Sequence, residues 1–344
     1  SLHDALPIYN LGFELGLFNN RIRLEGDFYD SQSLDLLLNV PVPTITGYST
    51  QMQNIGKVQN RGMEFTLNTK NLTGEFSWSS NFNISFNKNK VLEVGVDGRP
   101  IYGSAANANN AFITKPGYPI ASFYGYKYIG VFQSEEELAK YPHLSGDKVG
   151  DGRYEDVNKD GVLDQNDKTI LGDNNPLFTA GFSNSFSYKN FTLDIQFTGS
   201  YGAEVFSFYK RMCGIYHGDR NGMIEQLGRW QSKDQPGDGI HFRPTRTPSG
   251  WQRDPSSAWV QDASYLRLRN LTLGYNFDQK VLDKMKMKGL RLYVTGQNLF
   301  TITNYVGYDP ETSSESGLAQ GGDYLGYPAA RSFIIGDRKS TRLN

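Results

Sequence analysis

The chain has 344 residues, a single cysteine, Cys213, and a formal net charge of −1. One thiol excludes an intramolecular disulfide framework and a cysteine-built zinc site, and the even charge balance argues against a nucleic-acid partner, which calls for a basic excess. A mean hydropathy of −0.52 reads as hydrophilic, but the alternating strands of a transmembrane β-barrel average out in the same way.

In chain order, residues 1–8 ("SLHDALPI") fit nothing beside them and resemble translated sequencing-adapter read-through, so they are set aside from fold reasoning. Alternating runs over 10–18 and 21–31 follow, joined at Asn19-Asn20. A long connection, 32–61, leads to a run at 62–70, and 71–74 is a short link to "FSWSSNFNISFN". There Phe76, Trp78, Phe82, Ile84 and Phe86 share one face, with Ser and Asn on the other.

The next connection, 88–176, is very long. It contains a strand-like piece at 122–132, a helical turn at 134–141 and the loop "DVNKDGVLDQND" at 156–167. Residues 178–188 and 191–198 then form two more strands closed by a tight hairpin at Lys189-Asn190. After a loop over 201–261, runs at 262–277, 289–300 and 331–336 are separated by 278–288 and 301–330. The terminal "DRKSTRLN" (337–344) is set aside like the start. Helical periodicity is confined to 134–141 and 278–289, so the class is all-β.

Strand length and loop order point to a membrane. Many runs reach the roughly 9–11 residues that cross a bilayer at a tilt, whereas strands of soluble sandwiches run about 5–6. The connections alternate short and long without exception, as in outer-membrane barrels with short periplasmic turns and long extracellular loops. If 122–132 crossed alone, that alternation would break, so it is expected to pair locally within the loop region. About nine spanning strands remain, an odd and unclosed set that forms only part of a barrel.

The loop at 156–167 carries the most explicit chemistry. Asp156, Asn158, Asp160, Asp164 and Asp167 occupy positions one, three, five, nine and twelve of an EF-hand pattern, Gly161 the sharp turn at six, and Val162 offers a carbonyl at seven. This set suits a structural calcium ion in an extracellular loop; no organic cofactor is expected. The same composition also describes a plain Asp/Asn/Gly-rich turn, and without paired helices a sensor role is disfavoured.

No GxSxG, GxGxxG, P-loop or HExxH arrangement points to catalysis, and acidic pairs such as Glu135/Glu136 or Asp234/Asp238 read as solvated charge. Trp230, Trp251, Trp259, Tyr201, Tyr209 and Tyr216 gather in or beside 201–261. They could stack on sugar rings, pack the loop, form an interfacial girdle or meet a partner. The four lysines of "KVLDKMKMKG" (280–289) read as a solvated turn. In "GQNLF" (296–300), Gly296 suits close packing or a bulge, with Asn298 bonding to nearby backbone.

Several of these blocks together resemble one family. Residues 156–202, "ASYLRLRNLTLGYNF" (263–277), "LRLYVTGQNLFTITNYVGYDPE" (290–311), "YPAARSFIIG" (327–336), "NRGMEFTLNTKN" (60–71) and "GYPIASFYGYKYIGVFQ" (117–133) are similar to SusC/RagA-type TonB-linked outer-membrane transporters. The resemblance implies the C-terminal part of a plugged, 22-stranded barrel over 9–336, in the outer membrane of a Gram-negative bacterium and bounded by its lipids. It also implies TonB–ExbB–ExbD-energised import of oligomeric glycans or peptides under a SusD-like lipoprotein, the TonB-contacting and plug regions lying outside this sequence. The other reading from the residues is a soluble or surface-exposed calcium-dependent carbohydrate-binding or adhesin protein.

Overall fold

The computed structural model describes residues 8–34, 37–41, 50–54, 56–94, 98–105, 108–214, 221–245, 254–311 and 316–341. Nine strands form one antiparallel sheet in which neighbours in sequence are neighbours in space. They are β1 (Ile8–Leu17), β2 (Ile22–Ser33), β3 (Gly56–Leu72), β4 (Phe76–Val94), β5 (Phe178–Tyr188), β6 (Phe191–Tyr201), β7 (Tyr265–Asn276), β8 (Met287–Thr303) and β9 (Ser332–Thr341). The sheet begins at β1 and ends at β9 without closing, so the expected nine-stranded section of an incomplete barrel is what the chain folds into.

Cross-strand register stacks the apolar positions in rows. Phe82, Phe182 and Phe197 stand opposite one another along one row, and Trp78, Phe186 and Leu193 two rows on, beyond the row of Ser80, Asn184 and Ile195. Aromatic rings concentrate at both ends of the strands. Near the short turns Phe191 and Tyr275 lie 4.9 Å apart and Phe76 stacks on Phe186; near the long loops Phe178 stacks on Tyr201 at 5.5 Å and meets Phe86 at 6.0 Å. Phe178 and Tyr188 bound an 11-residue strand. At ~3.3 Å per residue and a tilt of ~40° that separation spans about 25 Å, the height of a barrel's apolar band. Phe76, Phe182 and Phe191 are exposed, as rings facing lipid must be. Among the described residues no helix is long and apolar enough to cross a membrane; the strands do the crossing.

Strands β3 and β4 run well past what alternation marked. The β3–β4 ladder continues to Gly56 opposite Val94, because Val58, Val91 and Val94 are buried against Ile101 and Leu318 of the loops. Of the segments set aside, 1–7 and 342–344 lie outside the described residues; Ile8 starts β1, and 337–341 continue β9 against Met287–Leu292.

The long connections build a layer of their own over the sheet. The 122–132 piece does pair locally: Ser122–Gly125 joins Thr169–Gly172, and Tyr128–Val131 joins Gly152–Tyr154. The largest buried cluster of the described residues sits here, not on the sheet. Phe112, Phe123, Phe206, Phe208, Phe242 and Trp259 come together from four separate stretches. Helices α1 (Glu135–Lys140) and α3 (Gln279–Lys284) fall where helical turns were expected; α2 (Phe208–Gly214) was not anticipated. Seven residues give too little period to read, and α2 is held by its buried Phe208 packing on Phe206 at 5.2 Å.

Candidate functional site

The polar face of the sheet is a continuous hydrogen-bonded wall. On β3–β5, Asn81 donates to Asn68 at 2.7 Å, Ser85 to Glu64 at 3.2 Å, and Asn87 and Asn89 both donate to Asn60. On β5–β8, Ser185 donates to Asp194 at 2.6 Å, Asn270 to Gln196 at 2.8 Å, Arg291 to Thr192 at 3.0 Å, and Thr272 meets Thr295 at 2.8 Å. Charge along the wall is graded. Glu14, Glu25, Asp27 and Glu64 line β1–β3, where Arg23 bridges Glu14 and Glu25 at 3.0 and 2.8 Å. Arg267, Arg269 and Arg291 line β7 and β8, and the strands between carry mainly amides and hydroxyls. The loops lean over this face: the Ile120 N–H donates to Asn89 at 2.9 Å.

Residues 304–311 and 316–331 belong to a strap tied to the wall at its root. Arg267, 3% exposed, donates to Thr301 at 2.8 Å, to Asp309 at 2.6 Å and to Glu311; Arg269 donates to Thr198 at 3.0 Å and also reaches Glu311. Burial pushes the Asp309 carboxyl up, but Arg267 and the N–H groups of Ala329 and Glu311 outweigh it and hold the group below the ordinary range. Further along, Ala319 enters the loop-layer core, Leu318 joins the Val58/Val91 cluster, and Gly322-Asp323 pairs with Phe206-Ser207. The four anchoring side chains were not singled out in the sequence. The alternation "RLR" on a wall strand and the acidic pair in "YDPE" were the available signals.

A bulge positions these arginines. The β7 register jumps from Leu268 to Asn270, leaving Arg269 opposite Asn298 and Leu299 of β8. Asn298 takes a left-handed φ of 51° and donates to the Ala330 carbonyl at 3.0 Å. Gly296 packs against Leu299, whose side chain stands 2.8 Å from where a Cβ would be. The bulge and backbone bond expected at "GQNLF" are therefore present.

In the 156–167 loop, side-chain oxygens fold back on backbone N–H groups. Asp156 accepts from Lys159 and Gly161 at 2.7 and 2.9 Å, Asp160 from Val162 at 2.8 Å, and Asn158 from Asp160 at 3.0 Å. Gly161 has a φ of +83°, which the sharp turn requires. Asp164 caps the short helix Gln165–Asp167, and the fully buried Asp167 accepts from Val157 and Asp164 at 2.9 and 2.8 Å. Leu163 roots the loop in a cluster with Tyr126 and Tyr154. Among the described residues no three His, Cys, Asp or Glu side chains are gathered at metal-ligand spacing.

The loop aromatics separate into distinct environments. Trp259 is 2% exposed and packs on Phe242 at 5.9 Å, so it belongs to the loop-layer core; Trp230 packs against the same core half-buried. Tyr201 joins the outer girdle. Tyr209 lies 6.0 Å from the exposed Tyr308. Trp251 and Tyr216 lie outside the described residues.

A family model described as TonB dependent receptor-like, beta-barrel, matches residues 9–299. The chain is 36% identical over 339 residues to TonB-dependent receptor P3 of Formosa agariphila, covering 95% of this chain and 33% of that protein. It is 30% identical over 344 residues to TonB-dependent receptor SusC of Bacteroides thetaiotaomicron, covering 97% of this chain and 31% of that one. The structure of the RagAB peptide transporter superposes with a TM-score of 0.78 at 23% identity, over 97% of this chain and 35% of that chain. The chain spans about a third of the length of each.

Proposed function

The chain belongs to the TonB-dependent receptor-like β-barrel family, as its SusC/RagA-type blocks indicated, and from that premise we propose that it forms one section of the wall and outer loop layer of a nutrient importer. The importer carries oligomeric solutes, glycans or peptides, across the outer membrane of a Gram-negative bacterium. A SusD-like surface lipoprotein holds the solute above the loop layer, and the TonB–ExbB–ExbD system supplies the energy. One observation carries the reading: the wall pairs a lipid-facing aromatic side with a continuous face of Asn, Ser, Thr and Gln groups bonded to one another. Such a face exchanges hydrogen bonds with a passing hydroxyl- or amide-rich chain at little cost, because each bond given up is replaced. Transport of this kind needs no covalent step.

Deleting the gene in its host tests this. Growth on single oligosaccharides and on peptide mixtures as sole carbon source should fail for one class and return with the full-length gene. Unimpaired growth on all of them, or release of the protein by salt without detergent, would overturn the reading.

The 156–167 loop serves, in the same proposal, as a structural calcium clip. Asp156, Asn158, Asp160, Asp164 and Asp167, with the Val162 carbonyl, supply hard oxygen donors in EF-hand order. A carboxylate has about four lone-pair sites, so those already accepting one or two N–H groups keep capacity for a cation. Bound there, calcium would supply charge compensation that fixes a long loop.

A further inference from the structure

We infer that the membrane face carries a built groove for one acyl chain of a bilayer lipid, on the side of the long loops. The groove runs across β4–β8 with a volume of about 470 Å³, within the roughly 300–1,000 Å³ range of small-molecule sites. Its floor is Ala180 and Gly199, directly opposite each other in register. One wall is the register pair Phe182 and Phe197, the other the stacked pair Phe178 and Tyr201. Along β5 this face carries rings at Phe178, Phe182, Phe186 and Tyr188 and an amide at Asn184, which accepts from Trp78; at Ala180 and Gly199 it offers one methyl. Gly199 cannot readily be larger, since a Cβ there would lie 3.0 Å from the Tyr265 carbonyl oxygen.

Position decides the occupant. The trough lies between the outer ring pair and the ring row one step inward, inside the band that faces lipid. Apolar walls do not hold water, and a void along them forfeits dispersion contacts. Chain methylenes are the material available at that depth. At the loop end the groove opens on Asp262, Ser264 and Asn304. The Asp262 carboxylate accepts the Ser264 N–H at 2.8 Å and its hydroxyl at 2.5 Å. This rim offers hydroxyl, amide and carboxylate groups that can hydrogen-bond the hydroxyl and amide groups of a lipid headgroup.

The test uses the full-length receptor, washed in mild detergent and then given dimyristoyl-phosphatidylethanolamine, with retained lipid counted by native mass spectrometry. One tightly held lipid per barrel is expected, and Ala180→Phe should lower retention at least about fivefold. Val294→Phe, on the same face but outside the groove, should leave retention unchanged, and heat-modifiability should be the same for all three proteins. Equal retention in Ala180→Phe and wild type overturns the proposal, as does retention of no lipid by wild type. Should Ala180→Phe not assemble, a density map of the wild type in phosphatidylethanolamine nanodiscs decides. A continuous tube over Ala180 and Gly199 supports the groove, and an empty trough overturns it.

Discussion

The guanidinium of Arg269 stands 3.4 Å from the side-chain oxygen of Asn298, across the one place where β8 carries an extra residue against β7. That contact sits at a change of phase. Before it Leu266 and Leu268 face the lipid; after it Leu271, Leu273 and Tyr275 do. The bulge keeps the apolar residues of both halves on one side and leaves Arg267 and Arg269 free to tie down the strap.

Arg267→Ala should release that strap. Removing one partner of a buried ion pair costs about 3–5 kcal/mol, and Asp309 would lose its guanidinium while Glu311 kept only that of Arg269. Limited proteolysis should then cut within 304–331 at protease levels the wild type resists, while the heat-modifiable barrel persists. Equal resistance would show that the strap is held elsewhere.

Acid should loosen the same latch. Asp309 has a depressed carboxyl, so its contribution is fully present above the unfolded value of about 3.9 and is lost as pH falls through the folded value. Glu204 behaves oppositely. Burial, with Asp173 and Asp262 nearby, raises its carboxyl, so its contribution is present below the unfolded value and lost as pH rises through the folded one. Cleavage of the strap should rise below about pH 4, and Glu204→Gln should protect the loop layer at neutral pH relative to wild type.

At the bulge, Asn298→Gly keeps the backbone unstrained and should cost only about 1 kcal/mol for the lost bond to Ala330, whereas Asn298→Val should cost about 1–3 kcal/mol more, because a β-branched residue resists a φ of 51°. Denaturation midpoints of the two variants measure the difference; equal midpoints would mean the bulge relaxes without strain.

Adjacent residues on β5 offer a test of facing. Phe182→Arg should cost about 2–4 kcal/mol near the bilayer midplane and block assembly, while Ser183→Arg, on the wall side, should assemble normally. Folding into vesicles followed by gel mobility before and after boiling reads both. Reversed outcomes would turn the sheet inside out.

For the clip, terbium luminescence or calorimetry on the full-length protein should show binding that Asp160→Ala weakens at least about tenfold. Chelation should expose 156–167 to protease. Full binding in Asp160→Ala would remove calcium from the account.

Much of the wall was legible because its period is two and its environment two-sided: lipid demands rings at Phe178, Phe182 and Phe186, and water demands Ser183 and Ser185 between them. The bulge was also written there, in the consecutive polar residues Arg269-Asn270 that break the alternation, though the run reads as one strand until pairing is seen. The loop layer was not legible. Phe112, Phe123, Phe206 and Phe242 meet from distant stretches with no shared period, and only tertiary packing brings them together. Trp259 shows the same difficulty. It invited a sugar-stacking role, yet its neighbours Ala258 and Val260 already marked an apolar run headed inward.

The loop-layer core closes on its own side chains, and its ties to the wall among the described residues include Ile120 to Asn89, the backbone bonds of Val91 with Gly117 and Tyr118, the packing of Leu318 and Ile101 on Val58 and Val91, Asn298 to Ala330, and the arginine latch. Wall and roof are thus two modules with separate rules for acceptable change. A chimera that grafts another relative's roof onto this wall needs to preserve those joints, not the whole boundary, and sequence change in the roof can proceed without renegotiating the strands that face lipid.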